Sequence, residues 1–441
     1  MYKRQRFGGG QAYSTGNASH LLNVPAGRMS AFHDSPLDFL QWLRAQPPGN
    51  HGTAPATPGC FVSRRAYGAY VRDLLKRELR RPGLGNRLTL VRGEATRLAA
   101  GAELLELTLD RGRRVRADVV VLAVGNLAPE PPQLADPAFY DGPLYRPDPW
   151  ASDALDGLDP DAPMLLIGTG LTMVDMVISL LDRGHRGTIH ALSRRGLLPQ
   201  RHGSPSGASV EAPALPTRLV PLLRAIRQAA KRAGPHGWHG VIDGLRPFTV
   251  DLWQVLSPQD RLRFLRHLRR WWDVHRHRMA PAVAERLDAA RADGQLVVHA
   301  GWLRELVAHD GGAQATYLSR GDGRVERLLA TRVINCAGPG ADYERVQHPL
   351  LQSLLRDGLV RPDPLRLGLD VTGSCATLDR DGTMSRRLFA AGPATRGAFW
   401  EMTAVPDIRR QCEVLAMHVA ALVRLGQPAA LPPATSRRPA D

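Results

Sequence analysis

The run from Ala162 to Arg195, APMLLIGTGLTMVDMVISLLDRGHRGTIHALSRR, changes hydrophobic period twice and predicts a strand, a helix and a second strand. Met164 to Ile167 is unbroken apolar, as expected of a parallel strand buried on both faces. Gly168-Thr169-Gly170 supplies the turn, Leu171 to Leu181 the helix, Gly184 its end, and Thr188 to Ser193 the second strand. Two further apolar runs, Val119 to Val124 and Arg332 to Ala337, predict buried strands that stop at Gly125 and Gly338. Each follows a strand and a small meander, so the stretch near 87–126 echoes that near 295–340 in pattern, with little residue identity. Between them Leu219, Leu222, Leu223 and Ile226, then Leu262, Leu265, Leu268 and Trp272, recur at helical spacing and predict a helical insertion at about 215–290, with Pro258 near a helix start. Pro47 to Gly59 reads as a surface loop, Leu127 to Pro149 as an extended crossing, and Gln427 to Asp441 as a loose terminus.

The strand-turn-helix-strand pattern is a dinucleotide cradle. Glycines let the backbone approach a pyrophosphate, and the free N–H groups opening the helix face its charge, so Gly168, Thr169, Gly170, Leu171 and Thr172 are candidate cofactor contacts. Met173 stands where G-x-G-x-x-G has its third glycine, and looser packing of helix on strand is expected there. A cradle for NADH carries an acidic residue at the tip of the second strand; this chain has Ser193, Arg194 and Arg195, which suit a 2′-phosphate and point to NADPH. The competing reading of these arginines is a solvated loop in an arginine-rich chain. Gly125 and Gly338 either let the chain pass close to a cofactor or are ordinary strand-end turns, and their parallel placement favours the cofactor.

Charge alters this picture little. The 441 residues, 43% of them hydrophobic, carry a formal net charge of +16, which raises nucleic-acid or anionic-membrane partners. Only Lys3, Lys76 and Lys231 are lysines; the excess is arginine, with 43 Gly and 35 Pro. Leu215 to Ala280 holds 13 Lys and Arg against four Asp, and its arginines read more readily as a solvated face than as a ligand site. No helix-turn-helix, zinc or RNP signature accompanies them, so no nucleic-acid partner is expected. Cys60, Cys336, Cys375 and Cys412 are too scattered for a dithiol or zinc motif, and His275 and His277 lack ligand partners, so no metal is expected. No N-terminal charged-then-apolar signal appears, and Met164 to Leu181 contains Asp175 and two glycines; the expectation is a cytoplasmic protein without a membrane partner.

Three segments carry a family resemblance: GGGQAYSTGNASHLLNVPAGRMSAF at 8–32, GTGLTMVD at 168–175 and LFAAGPATRGAFWEMTAVPDIRRQ at 388–411. Together the chain resembles the FAD/NAD(P)-binding proteins of the YdhS-like group, relatives of flavin-dependent N-hydroxylating and Baeyer–Villiger-type monooxygenases. The resemblance implies an α/β fold of two Rossmann-like dinucleotide-binding domains. In it an NAD(P)-binding domain (151–340, with the helical insertion) interrupts a discontinuous FAD-binding domain (1–150 and 341–426). It also implies that Gly392, Pro393 and Ala394 pass near the flavin, that Asn23, Pro25 and Met29 line its other side, and that Trp400 and Glu401 lie near the reaction chamber. The family's first strand, its glycine fingerprint and its ribose-binding acid should precede Gly8, where only MYKRQRF stands. The expectation is a truncated first βαβ unit.

The leading functional expectation is an FAD-dependent NADPH oxidoreductase acting on a small molecule of unknown identity. Hydride passes from NADPH to flavin and then to oxygen or an acceptor, with monooxygenase and simple reductase or oxidase chemistry equally open. Arg396, Trp400 and Glu401 are the first residues to test, and no catalytic residue is assigned. The alternative is a non-catalytic or truncated NADPH-binding protein without functional flavin.

Overall fold

The apolar run Met164–Ile167 becomes the centre of the larger sheet. In the computed structural model, residues 7–47, 56–81, 88–203, 215–234 and 237–425 are described; the terminus at 427–441 and most of the 47–59 loop lie outside them. Helices α1 (Asp38–Arg44) and α2 (Arg64–Leu79) come first, then the meander β1 (Ala95–Ala100), β2 (Leu105–Leu109) and β3 (Arg114–Ala117) and the strand β4 (Val120–Leu122). The crossing contains β5 (Tyr145–Arg146), and the cradle is β6 (Met164–Ile167), α3 (Leu171–Asp182) and β7 (Ile189–Ser193). The helical insertion comprises α4 (Leu219–Arg232), α5 (Gly237–Leu245), α6 (Thr249–Val255), α7 (Pro258–Arg263) and α8 (Arg269–Arg276), followed by α9 (Pro281–Ala292). A second meander, β8 (Leu296–His309), β9 (Gly312–Ser319) and β10 (Val325–Ala330), leads to β11 (Arg332–Asn335). Then come α10 (Pro349–Arg356), β12 (Ala376–Leu378), β13 (Met384–Ala390), α11 (Arg396–Phe399) and α12 (Val405–Leu425).

The larger sheet has the order β10-β9-β8-β7-β6-β11-β5. Strand β6 lies parallel to β7 on one side and to β11 on the other, with Ile167 opposite Leu192 and Asn335. Its side chains alternate: Met164 and Leu166 pack beneath α3 and α9, whereas Leu165 and Ile167 pack with Tyr145, Leu306 and Val333. Burial on both faces is why the run is apolar without a break. Met173, where a third glycine was expected, is fully buried among Met164, Leu166 and Val177; its flexible thioether fills the space instead of leaving it loose.

Both meanders return to a strand, but only β11 is buried as the apolar pattern predicts; β4 is the edge strand of its sheet, and Val121 is 40% exposed. Strand β11 returns beside β6, and β4 returns parallel to β13 in a three-stranded sheet ordered β12-β13-β4. The first segment docks on the cradle helix. His20 Nε2 lies 2.8 Å from Ser179 Oγ, and Arg64 pairs with the buried Asp175 at 2.7 Å. Burial raises the Asp175 carboxyl, against the opposing fields of Arg64 and His20.

Two half-buried histidines give this fold an acid sensitivity. Burial holds His190 at about 4, helped by His299 whose Nε2 is 3.1 Å away, and burial also holds His202 at about 4 despite its contact with Asn23 O. Their folded-state values lie below the ordinary 6.5, so the stability they permit is complete above pH 6.5 and is lost as pH falls toward 4. After allowance for solvent screening of half-exposed rings, each loss is on the order of 1 kcal/mol. Thermal melts between pH 7 and 4 should show that decline, and His190→Gln should make it shallower; an equal slope in the variant refutes the assignment.

Candidate cofactor and substrate site

The turn at Gly168 is set by a close approach. Gly168 has φ +113°, and a Cβ built on it would sit 2.4 Å from the Cys336 carbonyl oxygen. The ends of β6 and β11 thus touch at a position only glycine fills. Gly170 differs: it is the N-cap of α3, its side chain would meet nothing within 4 Å, and no side chain caps the helix. Those N–H groups therefore open onto free space, with Leu171 and Thr172 half-buried beside them, which fits a pyrophosphate. Thr169 Oγ1 is held by Leu197 O at 2.6 Å and by Ser193 Oγ at 2.9 Å, while Ser193 also accepts from Gly196 N at 3.0 Å. Both hydroxyls brace the turn; Arg194 is exposed and Arg195 half-buried at the strand tip.

The other candidate glycines gather at the same end of the fold. Gly125, Gly338 and Gly392 have φ of +70°, +88° and +70°. A narrow cleft of about 10 Å³ is lined by Gly125, Asn126, Pro339, Tyr343, Pro393 and Arg396. Gly338 sits one residue before that lining and two after Cys336, so the cleft adjoins the Gly168 contact. Gly392 donates its N–H to Gln411 Oε1 at 2.7 Å, and Ala394 is fully buried, its carbonyl accepting from Leu369 N. Asn23 and Pro25 are half-buried, whereas Met29 lies in a core with Phe39 and Tyr70. Helix α12 links the two groups: Val405 packs on that core, Arg409 donates to Ser30 O, and Ile408 touches the Gly392 position.

Sequence reasoning missed the arginines that complete this region. Arg269 and Arg270 of the insertion face Arg194 of the cradle and Arg396 of α11. Burial, then Arg396, pushes Arg269 down to about 10, and for the largely exposed Arg194 partial desolvation, then Arg270 and Arg195, act in the same direction. Asp273 is the shared counter-charge, 3.6 Å from Arg269 and 3.9 Å from Arg270. Arg396 forms no ion pair among the described residues, its Nε lacks a hydrogen-bond partner, and its guanidinium carbon lies 5.3 Å from the Trp400 ring centroid. The doublet Arg269-Arg270 looks like any solvated helix face in sequence; in the fold Arg269 is half-buried while Arg270 stays exposed.

Trp400 itself is strained. It has φ +53° and ψ −65° at the centre of a γ-turn closed by Glu401 N donating to Phe399 O at 2.6 Å. Glu401, 4% exposed, anchors the turn: its Oε1 accepts from Trp272 Nε1 at 2.7 Å and its Oε2 lies 2.9 Å from Arg276 Nε. Burial opposes ionisation of Glu401, but Arg276, then His277 and Trp272, hold it below its ordinary value. Glu401 is therefore a brace between the insertion and α12.

Residues 1–127 match a family model described as FAD-NAD(P)-binding. The chain is similar to the L-aspartate N-monooxygenase (nitrosuccinate-forming) of Streptomyces cremeus, 29% identical over 280 residues that span 52% of this chain and 41% of that relative. Among solved structures it resembles the FAD-bound cadaverine monooxygenase of Erwinia amylovora, with a TM-score of 0.61 and 12% identity, covering all of this chain and 91% of that one. The ornithine N-hydroxylase of Kutzneria sp. 744 gives 0.59 and 13%, covering 95% and 90%. That of Pseudomonas aeruginosa gives 0.54 and 14%, covering 89% and 80%. At these identities the likeness is one of fold: an α/β architecture of two Rossmann-like units. No helix among the described residues is long and apolar enough to cross a membrane.

Proposed function

We propose that this chain is an FAD-dependent NADPH oxidoreductase that uses oxygen as electron acceptor and acts as a monooxygenase on a small molecule. The observation that carries the reading is the convergence of Arg194, Arg269, Arg270 and Arg396, with one shared Asp273, beside an uncapped helix N-terminus. Arg194 and Arg270 are exposed, whereas Arg269 and Arg396 are half-buried, and anions from outside the chain would complete the charge balance of these two. In this reading Gly168 to Thr172 hold the NADPH pyrophosphate, Arg194 and Arg195 the 2′-phosphate, and residues 151–340 form the NAD(P) part. Residues 1–150 and 341–426 form the FAD part, with Asn23, Pro25, Gly125, Gly338, Gly392 and Pro393 along the flavin and Arg396 against an electron-rich group of it. Bound flavin supplies the two-electron chemistry between NADPH and oxygen. The protein's part is to orient the rings, neutralise phosphate charge and exclude water with the packed Trp253, Phe264 and Trp400. Scattered free cysteines support a reducing, cytoplasmic setting.

The narrowness of the cleft beside Gly125 and Pro393 favours a second reading, an NADPH-binding protein without flavin, because a flavin there requires the segments to part. The visible spectrum decides. The first reading requires FAD retained after washing and bleached by NADPH; a folded protein that binds NADPH but retains no FAD selects the second. Replacing Arg194 and Arg195 by Ala should weaken NADPH binding about 10- to 100-fold and leave NADH binding unchanged. Equal losses for both nucleotides refute the 2′-phosphate assignment.

A further inference from the structure

The helical insertion and Trp400 line a cavity of about 510 Å³ that is partly open to solvent, within the range that holds drug-sized ligands. Its wall is apolar: Leu219, Leu222, Ile242, Leu245, Trp253 and Trp400 are each at most 6% exposed. Among the described residues the lining contains no Asp or Glu, its ionisable members are Arg227, His267 and His275, and burial keeps His275 below the ordinary histidine value. A free ammonium entering here meets no carboxylate among the described lining residues, so even an amino acid whose carboxylate pairs with Arg227 has its ammonium uncompensated.

Two polar atoms of the wall residues nevertheless lack partners. The buried indole Nε1 of Trp400 has no acceptor, and His275 Nδ1, on a ring stacked 5.2 Å from Trp238, has no hydrogen-bond partner. Both atoms have essentially no accessible surface in the empty pocket, so a ligand reaches one only when the side chain turns toward it; an unmade bond of this kind is costly and favours that turn. The strained γ-turn sets Trp400 at a boundary. The ring stacks on Trp253 at 4.9 Å, and the guanidinium carbons of Arg396 and Arg269 lie 5.3 and 5.8 Å from its centroid. One indole thus separates the apolar cavity from the arginine cluster.

We propose that this cavity binds a neutral, predominantly apolar small molecule bearing a hydrogen-bond acceptor, and that this chemical class is the substrate of the redox reaction proposed above. The substrate half of the proposal rests on that reading; the binding half does not. It sets this chain apart from similar proteins named for aspartate, ornithine and cadaverine.

The test uses the full chain and the neutral dye Nile red, displaced by decyl methyl ketone, undecane, decylamine, L-ornithine or L-aspartate. Nile red should bind, the ketone should displace it about fivefold more tightly than undecane, and the two amino acids should not compete. Trp400→Phe, which keeps a ring but removes the N–H, should abolish the ketone's advantage and leave undecane unchanged; a thermal melt confirms folding. Absence of dye binding to the wild type, or preference for either amino acid, overturns the proposal. In flavin-loaded protein the ketone should also stimulate NADPH consumption, and binding without stimulation overturns the substrate assignment. If the chain holds no flavin yet binds the ketone, the oxidoreductase reading has failed and the binding site stands.

Discussion

Gly168→Ala should lose NADPH binding and melt far below the wild type. The added methyl meets the Cys336 carbonyl oxygen at 2.4 Å and its carbon at 2.7 Å, both backbone atoms, and φ is +113°, so no rotamer relieves the clash. The two central strands must separate, at a cost of about 3 kcal/mol or more from strain and lost packing. Gly170→Ala provides the contrast. Its Cβ enters open space at φ −84°, so melting should be nearly unchanged, whereas the methyl occupies the approach to the helix N-terminus and should raise the NADPH dissociation constant about tenfold. Melts and nucleotide titrations of both variants separate fold from site. Wild-type melting of Gly168→Ala, or unaltered NADPH binding by Gly170→Ala, contradicts this assignment of the turn.

Arg276→Leu should destabilise the chain by about 3–5 kcal/mol. Arg276, 8% exposed, is 2.9 Å from Glu401 and 3.5 Å from Asp407, which also receives Arg246 at 3.2 Å. Removing it leaves Glu401 buried without its nearest cation. Denaturant unfolding should show the loss, and Glu401→Gln in the same chain should recover part of it by removing the stranded charge. The sign with pH follows. Glu401 is depressed below 4.5, so its stabilisation is present above that value and lost as pH falls below it. The wild type therefore carries an acid-labile contribution that Arg276→Leu lacks. A double variant no more stable than Arg276→Leu alone contradicts the stranded-charge account.

The cradle was legible because its signals are local. The apolar tetrad, the glycine turn and the helical periodicity each depend on neighbours within a few residues, and β6, α3 and β7 follow that pattern. The positions of the returning strands were legible for the same reason, but burial held only for β11: β4 lies at a sheet edge with Val121 exposed, and edge or centre depends on the partners a strand meets. The helical insertion was visible as well, but its cavity was not. Leu222, Trp253 and Trp272 have the spacing of ordinary core residues, and spacing alone does not reveal whether facing helices close the gap.

Sequence by itself determined the cradle and the arginines at its tip, because hydrophobic period and glycine placement restrict the backbone locally, whereas the two-unit α/β plan was read from the family resemblance of residues 8–32, 168–175 and 388–411. Tertiary structure alone decided that Arg269 and Arg270 join Arg194 and Arg396, that Glu401 braces Arg276 and Trp272, and that Trp400 divides an apolar cavity from a cationic cluster. These arrangements join residues more than 70 positions apart, and their energies come from burial and charge proximity, which exist only once the distant segments have packed.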